Sequence, residues 1–230
     1  MTQTRGMLDR ELAEIQDNVL LIGDMLNQAI RRSIRALEKG DTALAQQIVA
    51  DDEKINQLRY ATEELCLAVI ATQQPVAGDL RAVIAAMHIA IEMERMADHA
   101  EGIAQLVMRI ADEPLLKPLI DLPRMAEIAC DMLRASLDAF VARDPAAAIA
   151  AAERDDEIDQ LNDQVFRELL TYMLQDPRNI NRATYLLWVS HNLERIGDRV
   201  TNISERVVFM TTGRFKELSG SWQPDERVVG

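Results

Sequence analysis

Apolar residues recur every three or four positions along nearly the whole chain, a spacing that predicts long amphipathic helices. The first helix is expected from Met7 to Lys39, on the stripe Leu8, Leu12, Ile15, Val19, Ile22, Leu26, Ile30, Ile34 and Leu37, and Gly40 ends it. Asp41 or Thr42 caps a second helix, whose stripe of Leu44, Ile48, Ile55, Leu58, Leu65 and Val69 is interrupted by Asp51 and Asp52 where an apolar residue was due. Pro75 and Gly78 break the chain. A third helix follows from Asp79 to Ala111, and its first half, Val83 to Ile91, is apolar nearly all round, as the most buried helix of a bundle would be. Asp112-Glu113-Pro114, Pro118 and Pro123 mark a linker that no continuous helix tolerates. Three more helices are expected, over Asp121 to Arg143, Pro145 to Gln175 and Asn179 to Thr212.

The second half repeats the first. Asp41, Asp52, Ile55 and Leu58 correspond to Asp144, Asp155, Ile158 and Leu161, each 103 positions on; past the second loop the offset falls to 100. The predicted fold is therefore all-α: two pseudo-symmetric three-helix bundles in tandem, built from six long helices. Residues 1–112 form the first repeat, 113–123 the linker, 124–213 the second repeat and 214–230 a mobile tail with little to bury.

Composition agrees with helices, since 9 Gly, 7 Pro and 4% aromatics among 230 residues leave few breakers and few strand formers. The formal net charge of −13 opposes a phosphate backbone, so nucleic acid is not an expected partner; cations or basic protein surfaces suit it better. Cys66 and Cys130 lie alone in helical patterns and are read as core. With no charged-then-apolar leader and no run of about 18 apolar residues, the expected location is the cytoplasm, without membrane insertion.

One unit carries the chemistry. Glu94-Arg95-Met96-Ala97-Asp98 recurs as Glu194-Arg195-Ile196-Gly197-Asp198. Acids four apart share a helix face and repel, so their duplication points to a bound cation. The rival reading is gene duplication preserving an ordinary solvated face of acids and arginines. Hairpin geometry adds a third acid per half: Asp52 and Asp98 stand at similar distances from the turn near residue 76, as do Asp155 and Asp198 from the turn near 178. Acids from two helices form an oxygen-ligand set for a hard or borderline cation. His88 is read as a core or interface histidine, and Trp188 as packing.

Asp52-Glu53 with Asn56, Gly78-Asp79-Leu80-Arg81, Glu94 to His99, and Leu193 to Asp198 with Asn202-Ile203 together resemble the repeat of the PhoU family over about Met7 to Thr212. The resemblance implies a non-enzymatic negative regulator of phosphate uptake and phosphate-starvation signalling. Its implied partners are the ATPase of the phosphate transporter and a membrane-bound sensor histidine kinase, with a homodimer left open. It also implies multinuclear metal clusters of iron or manganese, with magnesium or zinc as alternatives. The implied ligands are Glu94 and Asp98 in the first site and Glu194, Asp198 and Asn202 in the second, with Asp52 and Asp155 completing them. Gly102 stands where Asn202 does in the other half, and Glu101 is the expected substitute. A carboxylate-bridged di-metal enzyme is disfavoured, because Ala85, Met96 and Trp188 occupy the Glu positions of Glu-x-x-His before the three histidines. A metal-free helical adaptor remains the other alternative.

Overall fold

The computed structural model describes residues 2–218. Its helices are α1 (Thr2–Lys39), α2 (Thr42–Gln73), α3 (Gly78–Ile110), α4 (Asp121–Ala142), α5 (Pro145–Ala152), α6 (Asp155–Gln175) and α7 (Ile180–Thr212), with a single 3₁₀ turn, Pro177–Asn179, before α7. The expected cap positions hold. Gly40 leaves α1 at φ +63°, Asp41 accepts from the Leu44 N–H, and its counterpart Asp144 accepts from the Ala146 and Ala147 N–H groups. Each carboxylate satisfies backbone donors that the first helical turn leaves unpaired.

The predicted fifth helix is two helices. The chain tightens at Glu153 and Arg154, where the Arg154 N–H reaches back to Ala151 and the Glu157 N–H to Arg154. Asp155, Asp156 and Glu157 thereby become the first turn of α6. Three acids at a helix N-terminus meet the positive end of its dipole, a gain unavailable in mid-helix. The first copy carries its three acids one residue earlier, Asp51-Asp52-Glu53, with Asp51 paired to Arg32 and Lys54, and α2 stays continuous.

α1, α2 and α3 form one bundle; α4, α5, α6 and α7 form the other. The two are joined along α3 with α7 and α1 with α4. His99 meets Asn192, Glu92 meets Arg199 and Arg81 meets Met210, so α3 and α7 cross antiparallel. The first two pairs map onto each other by the 100-residue offset, which places a pseudo-twofold axis across the crossing. A single apolar core runs through both bundles, from Ile15 and Leu26 of α1 through Ile89 and Met93 of α3 to Met125 and Leu133 of α4. Gly23 of α1 admits Leu137 of α4 where a side chain would stand; a Cβ there would lie 2.3 Å from Leu137 Cδ1. Cys66 and Cys130 are buried and unpaired, as expected.

The connection between bundles is 111–120, and Asp121 already opens α4. The buried Lys117 ties it down, pairing with Glu168 and Asp121. Of the segment read as a tail, 214–218 turns back along α7: Phe215 stacks on Phe209 at 4.3 Å and the Leu218 N–H donates to Glu205 at 2.9 Å. Residues 219–230 lie outside the described residues.

Candidate metal centre

α2 and α3 run antiparallel from the loop at Gln74–Ala77, which brings Asp52 level with the second half of α3. One carboxylate oxygen each from Asp52, Asp98 and Glu101 lies within 4.8 Å of the other two. Asp52 and Glu101 are half-buried and Asp98 is exposed. Burial, followed by the charges of Glu101 and Asp98, pushes the Asp52 carboxyl up to about 6, against the pull of a 2.9 Å hydrogen bond from Asn56. Asp98 is raised by burial and then by Glu94 and Glu101. Asp52 and Glu101 also edge a cavity of about 210 Å³ between α1, α2 and α3.

Glu94 stands apart from this trio. Its Oε1 accepts from Arg59 Nη2 at 3.3 Å, and the same guanidinium holds Glu63 at 2.8 Å. Glu94 thus contributes field at Asp52 and Asp98 while its own charge is matched by arginine. Glu101, proposed as a substitute, stands nearer the centre than the residue of the repeated motif.

In the second copy Asp155 faces Glu194 and Asp198. Burial first, then Asp159, Asp198 and Glu194, push Asp155 up to about 7. Its Oδ1 is buried without a hydrogen-bond partner, as is Oε2 of Glu194. His191 Nδ1 and Arg195 Nε lie 3.3 and 3.2 Å from that Glu194 oxygen, within ion-pair range but without hydrogen-bond alignment. Arg195 Nη1 instead donates to Asp198 at 2.9 Å. Asp155 reaches this depth because residue 197 is glycine; a Cβ there would stand 2.3 Å from Asp155 Oδ1.

Asp159 is the site residue that sequence reasoning missed. It is raised by burial and then by Asp198, and it occupies the position of Asn56 at the 103-residue offset. Its four-residue spacing from Asp155 was the available signal. Asn202 is a correction in the opposite sense. Its Nδ2 donates to Glu92 Oε2 at 3.2 Å beside Arg199, on the seam between α3 and α7. The antiparallel crossing puts Glu92 opposite it.

The histidines contribute no ligand to the compact trio. His88 is exposed, which rules out the core position expected as one alternative. His99 is half-buried at 2.9 Å from Asn192, and burial lowers its pKa. Trp188 is half-exposed and meets Tyr185 edge-on at 5.8 Å, so it is only partly packed. All the groups that converge are carboxylates, a donor set for hard cations.

Both repeats match one family model, described as PhoU domain, over residues 19–107 and 122–207. The chain is 38% identical over 206 residues to a phosphate-specific transport system accessory protein PhoU homolog of Rhizobium meliloti, covering 89% of this chain and 87% of that protein. It is 37% identical to the homolog of Aquifex aeolicus, covering 90% and 93%. The crystal structure of PhoU from Pseudomonas aeruginosa superposes with TM-score 0.85 at 31% identity, over 90% of this chain and 99% of that one. That of the phosphate transport system regulatory protein PhoU from Streptococcus pneumoniae gives 0.84 at 32%, over 91% and 99%. With both halves matched and this identity maintained along most of its length, the chain belongs to the PhoU family.

Proposed function

We propose that this chain is a cytoplasmic, metal-binding accessory protein of phosphate-specific transport that restrains phosphate uptake and starvation signalling by binding the transporter ATPase and a sensor histidine kinase. The transport role rests on relatives whose names state it. No described helix is long and apolar enough to cross a membrane, in keeping with action from solution. The observation that carries the metal reading is the converging acid trio of the first half, three ligand oxygens mutually within 4.8 Å; the second half adds a buried, unpartnered Asp155 oxygen among acids that raise its pKa. Carboxylates that raise each other's pKa are stabilised as anions when a cation replaces the shared protons.

The fitting residues are Asp52, Asp98 and Glu101 with Glu94 nearby, and Asp155, Asp159, Glu194 and Asp198. Iron or manganese is the preferred occupant of each, with magnesium or zinc as alternatives. Such an ion supplies positive charge that joins the second helix of each bundle to the third. These residues hold the face steady for a partner; loss of the ion loosens it. Asp98→Ala combined with Asp198→Ala should lower bound metal, measured by elemental analysis of untagged protein, and weaken binding of the ATPase. Full metal retention in the double variant rejects the assignment. Undiminished phosphate repression in cells whose variant carries no metal would favour the metal-free adaptor.

A further inference from the structure

α6 carries an exposed face that shares only Asp159 with the acid cluster. Asp156, Asp159, Asp163, Phe166 and Leu170 follow at steps of three and four, with Leu174 next, and so line one side of the helix. Its N-terminal part is acidic. Its C-terminal part is apolar and open to solvent: Phe166 is 53% exposed, Leu170 42% and Leu174 79%. The apolar stretch runs about 12 Å along the axis at 1.5 Å per residue. Arg167 is the one cation of α6.

The first copy supplies an internal control. At the 103-residue offset Phe166, Leu170 and Leu174 correspond to Glu63, Leu67 and Ala71, while Asp159 and Asp163 correspond to Asn56 and Tyr60. Glu63 is held by Arg59 there, and Arg59 lies over the Tyr60 ring at 3.8 Å. The first copy therefore leaves Tyr60 and Leu67 exposed on this line but separates them with Glu63, so it lacks the three apolar side chains in succession that α6 carries. Packing within the bundle does not require three large apolar side chains on solvent-facing α6, and such a contiguous patch marks a contact surface.

We propose that this face of α6 docks an amphipathic helix of a basic partner protein, with apolar side chains over Phe166, Leu170 and Leu174 and lysines or arginines over Asp163 and Asp156. Charge selects the occupant. A second copy of this chain carries −13 and would set acid against acid, whereas a cationic helix end gains from the same field. The inference rests on the accessory-protein reading, in which this chain acts through protein contacts, but it does not require the metal.

The test uses the full chain and a fluorescent synthetic 16-residue helical peptide with leucines on one stripe and lysines at one end, followed by anisotropy. A second peptide replaces its lysines with glutamates. The lysine peptide should bind saturably and the glutamate peptide at least tenfold more weakly. Leu170→Asp should weaken the lysine peptide about tenfold. Asp163→Lys should weaken it and strengthen the glutamate peptide, while Leu67→Asp on the first copy leaves both unchanged. Absence of saturable binding, equal binding of the two peptides, or equal loss in Leu67→Asp would overturn the proposal. So would concentration-dependent self-association abolished by Leu170→Asp, which would assign the face to a second copy. Elemental analysis of the same samples separates the two readings: peptide binding by metal-free protein removes the metal proposal alone, and metal with no peptide binding removes this one.

Discussion

At the scale of the residue, the carboxyl groups of Asp52 and Asp155 set the chemistry of the two clusters. Both are raised, to about 6 and about 7, chiefly by burial and then by neighbouring acids. The native state therefore binds protons that the unfolded chain releases near the ordinary carboxyl value of 3.8. Their stabilising contribution is fully present below that value and disappears as pH rises through 6 to 7. Metal-stripped protein should accordingly gain thermal stability on replacement of Asp155 by Asn, with the gain growing from pH 5 to pH 8. Added Mn²⁺ should reverse the order, stabilising the parent and not the variant. Melting curves across that range, with and without metal, check both signs. Asp159 and Asn202 show why residue-level reading was incomplete: four-residue spacing was available for the first, whereas only the position of Glu92 across the seam reveals the partner of the second.

Among elements, the decisive approach is that of α6 to α7. Asp155 Oδ1 occupies the volume that a side chain at 197 would fill, and Ile158 Cδ1 would lie 2.9 Å from the same Cβ. Gly197→Ala must push the helices apart or turn the carboxylate away, a loss of about 1–3 kcal/mol on the scale of overpacked cores. Gly102→Ala is the control: its Cβ would meet the Asn192 side-chain oxygen at 3.3 Å, a contact relieved by a shift of a few tenths of an ångström, and alanine improves helix propensity by up to ~1 kcal/mol. Urea denaturation should show Gly197→Ala destabilised and Gly102→Ala close to neutral. The helix boundaries themselves were largely written in the chain, because Gly40, Asp41, Asp144 and Gly213, which leaves α7 at φ +71°, act locally. The division of α5 from α6 was not legible in this way, because a similar acid run at 51–53 leaves α2 unbroken and the apolar period runs across both.

For the whole molecule, the two repeats are one structure. α3 and α7 are each buried along most of their length, with Ile89, Met93, Ile196 and Val200 inaccessible to solvent, and the seam adds the Glu92 contacts to Arg199 and Asn202. A half expressed alone would expose that apolar surface and leave Arg199 or Glu92 without its partner. Residues 1–118 and 119–230, produced separately, should form expanded, dye-binding states and regain cooperative unfolding when co-expressed. Sharp two-state melting of either half by itself would show that the seam is dispensable.

The sequence by itself determined the helices, their duplication and the presence of acids on one face of each repeat, because caps, periodicity and four-residue spacing act through neighbours within a few turns. Asp52 could be aligned with Asp98 for the same reason, as a short hairpin fixes the heights of its arms. Tertiary structure decided which acids converge. It placed Glu101 beside Asp52 and gave Glu94 to Arg59, sank Asp155 against Gly197, and drew Asn202 across to Glu92. Those outcomes depend on the rotation of packed helices and on contacts about 110 residues apart in the chain, such as that of Glu92 with Asn202, which no local pattern encodes.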